Sequence, residues 1–149
     1  MPDKKITTLT ATTSVVAADL FPIVVDTTGT PTTKKIAASD LAVYGAQLTL
    51  NAQTGTTYTL ALTDSAKFVT CSNASAVVVT VPPNSSVAFP IGTQVNIMWL
   101  GVGSTSIAAG SGVTIRSDGA KLTLNAQYAV ATLLKIDTNT WVAVGNLKA

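Results

Sequence analysis

Ser65 and Lys67, two apart in Asp64-Ser65-Ala66-Lys67, come nearest in this chain to a nucleophile beside its base. A serine–lysine dyad works when the amine is desolvated next to the hydroxyl and takes its proton as the oxygen attacks. Here the pair falls between two strand-like runs, where a solvated turn is expected, and catalysis is not. The sequence holds no His and no Glu, and its seven acidic residues are all Asp: 3, 19, 26, 40, 64, 118 and 137. A two-carboxylate mechanism needs two of these brought together. Most fall in expected turns or at a helix start, where Asp bonds local backbone.

Other chemistries find even less. GSGVTIRSDG (110–119) has the glycines of a phosphate loop but lacks Gly-Lys-Ser/Thr, and a strand follows it. With no His, one Cys and dispersed Asp, no metal or cofactor site is expected. Cys71, in the strand-like KFVTCS, has no partner for a disulfide within the chain and no His to activate it. It reads as a small buried hydrophobe. Asn73-Ala74-Ser75 and Asn84-Ser85-Ser86 fit the glycosylation sequon but read as polar turns. Trp141 beside Asn139 is the best candidate for stacking on a sugar, yet Phe68, Trp99 and Trp141 all lie in strand-like runs and are expected in the core. The residues thus predict no catalytic, cofactor or metal site, and not an enzyme.

The composition adds its own limits. Charged residues are 11% of the chain and hydrophobic ones 47%, against about 25% charged in an ordinary globular protein. Mean hydropathy is +0.44. No apolar run reaches the roughly 18 residues of a membrane helix, so no membrane is expected. A chain this short covers only part of its apolar surface by folding alone, which points to a subunit interface. Net charge is +2, and apart from Lys4-Lys5 and Lys34-Lys35 the basic residues are scattered. They are expected as solvated lysines near turns, with no nucleic acid as partner. MPDKKITT lacks the apolar segment of a secretory signal, so the chain is expected to be made and kept in a cytoplasm until assembly.

The elements that carry these residues are mostly strands. Leu20 to Val25 reads as a strand, demoted to an edge by Pro22. Asp26 to Thr32, with Gly29 and Pro31, is an expected turn, and Thr33 to Ile36 the return strand. Ser39 is placed to cap a short helix from Asp40 to about Tyr44, stopped by Gly45. From Gln47 on, about eight short strands follow at roughly 8–12-residue spacing, the pattern of an antiparallel β-sandwich. In TQVNIMWL, alternation places Val95, Ile97 and Trp99 on one face. Asp118-Gly119 and Asp137 to Asn139 are expected hairpin turns. LTLNAQ occurs at 48–53 and at 122–127, but the flanks do not match and no duplication is inferred.

From Thr57 onward the text resembles a β-rich domain of virion proteins of tailed bacteriophages and prophages. The resemblance rests on Tyr58 with Leu60, Asp64, VTVPPNSSVAFPIGTQV, AAGSGVTIRS, DGAKL, Gln127-Tyr128 and TWVAVGNL. ADLFPIVVDTTGTPTTKKIAASDL is similar to an attachment module at the start of phage fibre and appendage proteins. Together the two cover nearly the whole chain. The resemblance implies a non-enzymatic homo-oligomer, trimeric in such proteins, on the outside of a virion. It implies a mainly β fold: a compact antiparallel β-sandwich or jelly-roll-like domain, residues 47–149, after an extended docking arm, residues 1–46, that carries a hairpin and a short helix. The arm would attach to other virion proteins by strand addition and by burial of Leu20, Phe21, Ile23, Val24 and Val25. The prolines and Gly92 of VPPNSSVAFPIGTQVNI would fix a rigid connection between strands, and uncharged Thr, Ser and Asn faces would pack against neighbouring copies. Because the resemblance runs to TWVAVGNL with no further domain, a capsid decoration, cement or knob protein is expected. The alternative is a short tail fibre or adaptor that contributes to host recognition through a surface glycan.

Overall fold

A computed structural model describes residues 16, 20–25, 32–40 and 48–149 of the chain. It divides into two compact units, Met1–Gln47 and Leu48–Ala149. In the first, β1 (Leu20–Val25) pairs antiparallel with β2 (Thr32–Ala37), from Leu20↔Ala37 to Val25↔Thr32. Pro22 is tolerated because each strand of a two-stranded sheet has a free side. The turn expected between them lies outside the described residues from 26 to 31. Helical backbone already covers Ala38 to Asp40, so Ser39 lies inside the helix rather than capping it. The expected continuation to Tyr44 and the stop at Gly45 lie outside the described residues.

The second unit is mainly β, as expected, with two packed sheets. The chain runs through β3 (Leu50–Gln53), β4 (Thr57–Thr59), β5 (Phe68–Cys71), β6 (Val77–Val81), β7 (Gln94–Trp99) and β8 (Thr105–Ala109). It continues through β9 (Thr114–Arg116), β10 (Thr123–Leu124), β11 (Val130–Asp137), β12 (Thr140–Gly145) and β13 (Leu147–Lys148). One sheet has six strands in the order β3-β5-β7-β11-β12-β9, and the other five in the order β13-β10-β8-β6-β4.

The antiparallel part of the expectation needs correction. Four strand pairings of this unit are antiparallel and five are parallel. From β3 to β8 the chain crosses to the opposite sheet at every turn. A chain that crosses twice returns to its first sheet in its original direction, so β3, β5 and β7 stack in parallel, as do β4, β6 and β8. The turns stack too. Asn73 donates from its side chain to the Thr54 carbonyl in the turn below, and its own carbonyl accepts from Gly103 in the turn above. A Cβ at Gly103 would overlap the carbonyl of Ser75, so only glycine permits this approach.

Of the two hairpins expected in this unit, one forms. β11 and β12 pair through a loop of Thr138 and Asn139, with the Thr138 amide bonded to the Asp137 carboxylate. Asp118-Gly119 instead makes a 3₁₀ turn between β9 and β10, which belong to different sheets. Gly119 at φ 60° and Ala120 at φ 56° turn the chain across the sandwich rather than back on itself. The two LTLNAQ copies are not equivalent either. Leu50 lies on an edge strand and is 68% exposed, whereas its counterpart Leu124 is fully buried in the other sheet.

The core joins the inner faces. Val69, Val95, Ile97, Leu133 and Trp141 meet Val77, Val79, Val81, Ile107 and Leu124. Trp99 and Trp141 are buried as expected, but Phe68 is only half-buried, because its parity along β5 is opposite to that of Val69. The proline-rich connection crosses one end of the sandwich between β6 and β7. It lowers Phe89 onto Trp141, edge to face, with ring centroids 5.4 Å apart.

Candidate functional site

Two side-chain constellations use the polar residues, and each begins with strand parity. β3 is an edge strand whose inward positions are Asn51 and Gln53, and β4, at the same end of the other sheet, turns Tyr58 inward. The 3₁₀ turn Leu62–Asp64 then brings a fully buried Asp64 between them. Its carboxylate accepts from Asn51 Nδ2 at 2.7 Å, the Tyr58 hydroxyl at 2.7 Å and the Ala61 amide at 2.8 Å. Gln53 donates to Asn51 Oδ1 at 2.6 Å. Asp64 is therefore not the solvated turn residue expected of it. It is the centre of a polar plug that closes the open end of the two parallel stacks. Tyr58, Leu60 and Asp64, which carried part of the resemblance, meet around this plug, with Leu60 buried in the core beside it.

Burial, then the hydrogen bond to Asp64, push the Tyr58 phenol up from 10.0 to about 12. Losing its proton is harder in the folded chain than in the unfolded one. The stability this contributes is whole below pH 10 and is lost as pH rises through about 12. Alkaline absorbance titration of the native protein minus that of Tyr58→Phe should show a phenol with its midpoint near 12. A midpoint near 10 would mean the plug is open to water.

The second constellation surrounds Lys135, which is 2% exposed. Alternation along β11 places it on the inner face with Ala131 and Leu133. Its ammonium donates at 2.6 Å to Asn84 Oδ1 and at 2.6 Å to the Phe89 carbonyl, and lies 6.0 Å from the centre of the Trp141 ring. Asn139 Oδ1 accepts from the Asn84 amide at 2.8 Å. The expectation that the lysines are solvated fails here. Lys135 fastens the proline-rich connection to the end of the sandwich, and Asn84, read as part of a sequon, is one of its anchors.

The remaining candidates do not converge on a reaction. Ser65 is exposed and Lys67 half-buried, and neither joins the Asp64 network. Cys71 is buried as expected, and burial pushes its thiol up to about 11. Among the described residues no three potential metal-binding side chains meet. The same residues contain no helix long and apolar enough to cross a membrane. A recess of about 220 Å³ is lined by Asp118, Lys121, Ala143, Val144, Gly145 and Leu147. Its one ion pair, Lys121–Asp118 at 3.9 Å, is exposed, and such a pair contributes little.

Among the expected surface residues, Leu20, Phe21, Ile23, Val24 and Val25 all lie on β1, in the hairpin with β2. Trp141, buried to 1% exposure, has no face free for a sugar. Among the described residues the exposed aromatic is Tyr128 at 69%, in the turn closed by the Ala129 amide on the Ala126 carbonyl. Its φ of 68° is a conformation that normally favours glycine. The two outer sheet faces differ in kind. That of the five-stranded sheet is lined mainly by Thr57, Thr59, Thr80, Ser106 and Thr123. That of the six-stranded sheet carries larger apolar side chains, Leu50, Phe68 and Met98 across β3, β5 and β7, then Leu134 and Val144 on β11 and β12. The chain matches no protein-family model, no curated protein and no solved structure.

Proposed function

We propose that this protein is a non-enzymatic structural component of a tailed-phage virion. In this reading its arm docks to another virion protein and its β domain stands outside, as a capsid decoration, cement or knob protein assembled in the host cytoplasm. The observation that carries it is where the polar side chains go. Asp64, Lys135, Asn51 and Asn84 bond one another or the backbone and seal the ends of the sandwich, as a rigid building block requires. Among the described residues the sheet of β1 and β2 has no third strand, which supports strand addition at its edges. A homotrimer is part of the proposal, from the resemblance.

A second reading, a short tail fibre or adaptor that touches a host glycan, is favoured by one observation. Tyr128 keeps an exposed ring at a backbone position that costs a non-glycine residue stability. Copy number separates the two. Quantitative mass spectrometry of purified particles against the major capsid protein should give on the order of hundreds of copies for a shell component, and roughly six to a few tens for a tail appendage. Absence from the particle would end both readings.

A further inference from the structure

We infer that the outer face of the six-stranded sheet is an interface between copies of this chain. Strand register defines the face. Leu50 aligns with Phe68, Phe68 with Asn96, Asn96 with Thr132 and Thr132 with Val144. These rows cross β3, β5, β7, β11 and β12 in one layer. Leu50 is 68% exposed, Val144 55% and Leu134 39%. Within the strands, charge reaches this side only at its border, with Arg116 on β9 and Asp137 at the hairpin end.

Two features show that the face can be taken out of water. Part of its polar lining is already paired: Thr132 Oγ1 and Gln94 Nε2 both donate to Asn96 Oδ1, at 2.8 and 3.3 Å. Dehydrating the face therefore leaves that acceptor satisfied. The opposite outer face of the domain has a mainly hydroxyl lining with only Val78 and Ala108 among it, so the larger apolar side chains gather on one side.

The occupant is a second copy. A face with no interior charge gives a charged partner nothing to pair with, and it matches another uncharged face, which each copy supplies. The area also suits. Six strands about 4.8 Å apart and about 17 Å long present about 500 Å². Two such faces bury about 1,000 Å², the lower bound for a specific interface. Packed sheets stand about 10 Å apart, a gap that side chains such as Leu134 and Met98 can fill from both sides. None of these features of the face depends on the virion reading.

The test is sedimentation of the full chain over a concentration series, beside Leu134→Lys/Val144→Lys and Ala108→Lys. The native chain should sediment as an oligomer of its 15.2 kDa unit, a dimer where this face alone joins the copies. The double variant should weaken association on the order of 100-fold or more, because it buries unpaired ammonium groups. It should keep the native unfolding midpoint when measured dilute enough that the native chain is dissociated, since both positions face outward. Ala108→Lys, on the other sheet's outer face, should assemble normally. A native chain that stays monomeric at high concentration overturns the inference, and so does a double variant that assembles like the native chain. If the native chain is monomeric and the double variant exposes residues 1–47 to protease, the arm covers this face and the inference also fails.

Discussion

Lys135→Ala is expected to cost about 4 kcal/mol of folding stability, from a cavity and two stranded acceptors. The ammonium is the hydrogen-bond donor recorded for both Asn84 Oδ1 and the Phe89 carbonyl, and hydrogen bonds to charged groups contribute about 1.5–3 kcal/mol each. Lys135→Met separates the two effects. Both variants remove the buried ammonium and orphan the same two acceptors, but Met fills the space that Ala leaves empty. Without the cavity cost the Met variant should lose only about 1–2 kcal/mol. Urea unfolding followed by Trp fluorescence reads both. The Ala variant should also open the connection from Pro82 to Gly92, seen as faster proteolysis near Ser85 and Ser86. An Ala variant within 1 kcal/mol of the native protein would show that Lys135 does not hold the connection.

Asp64→Ala should cost about 3–4 kcal/mol, because it leaves the Asn51, Tyr58 and Ala61 donors without their shared acceptor at a buried site. Asp64→Asn keeps one acceptor oxygen, but its amide group meets a donor where an oxygen was. Tyr58 relieves part of that clash, since its hydroxyl can rotate and accept. The Asn variant should therefore fall between native and Ala, at about 2 kcal/mol. Equilibrium unfolding of the two variants gives the order. Equal stability of native and Ala proteins would mean that water already reaches the plug. A turn aspartate in solvent, as the sequence suggested, would cost well under 1 kcal/mol to replace, so the result discriminates sharply between the two placements.

Both residues show how far the sequence could be read. Lys135 was legible in principle: Ala131, Leu133 and Lys135 share one parity in YAVATLLKI, and a two-residue period puts all three inward. Reading lysines as solvated by type hid this. Asp64 gave no comparable signal. It is buried because β3 and β4 end one side of each sheet, and which strand ends a sheet is not written in the segment that forms it.

Alternation, turn residues and composition sufficed for a mainly β domain, for β1 and the β11–β12 hairpin, and for the burial of Trp99, Trp141 and Cys71. These are local matters: side-chain parity and turn chemistry act within a few residues. Tertiary structure alone decided the parallel stacking, the passage of Asp118-Gly119 between sheets and the gathering of apolar side chains on one outer face. A turn that folds back on its own sheet and one that crosses to the opposite sheet use the same residues. The difference lies in what packs against the next strand, and those partners come from far along the chain.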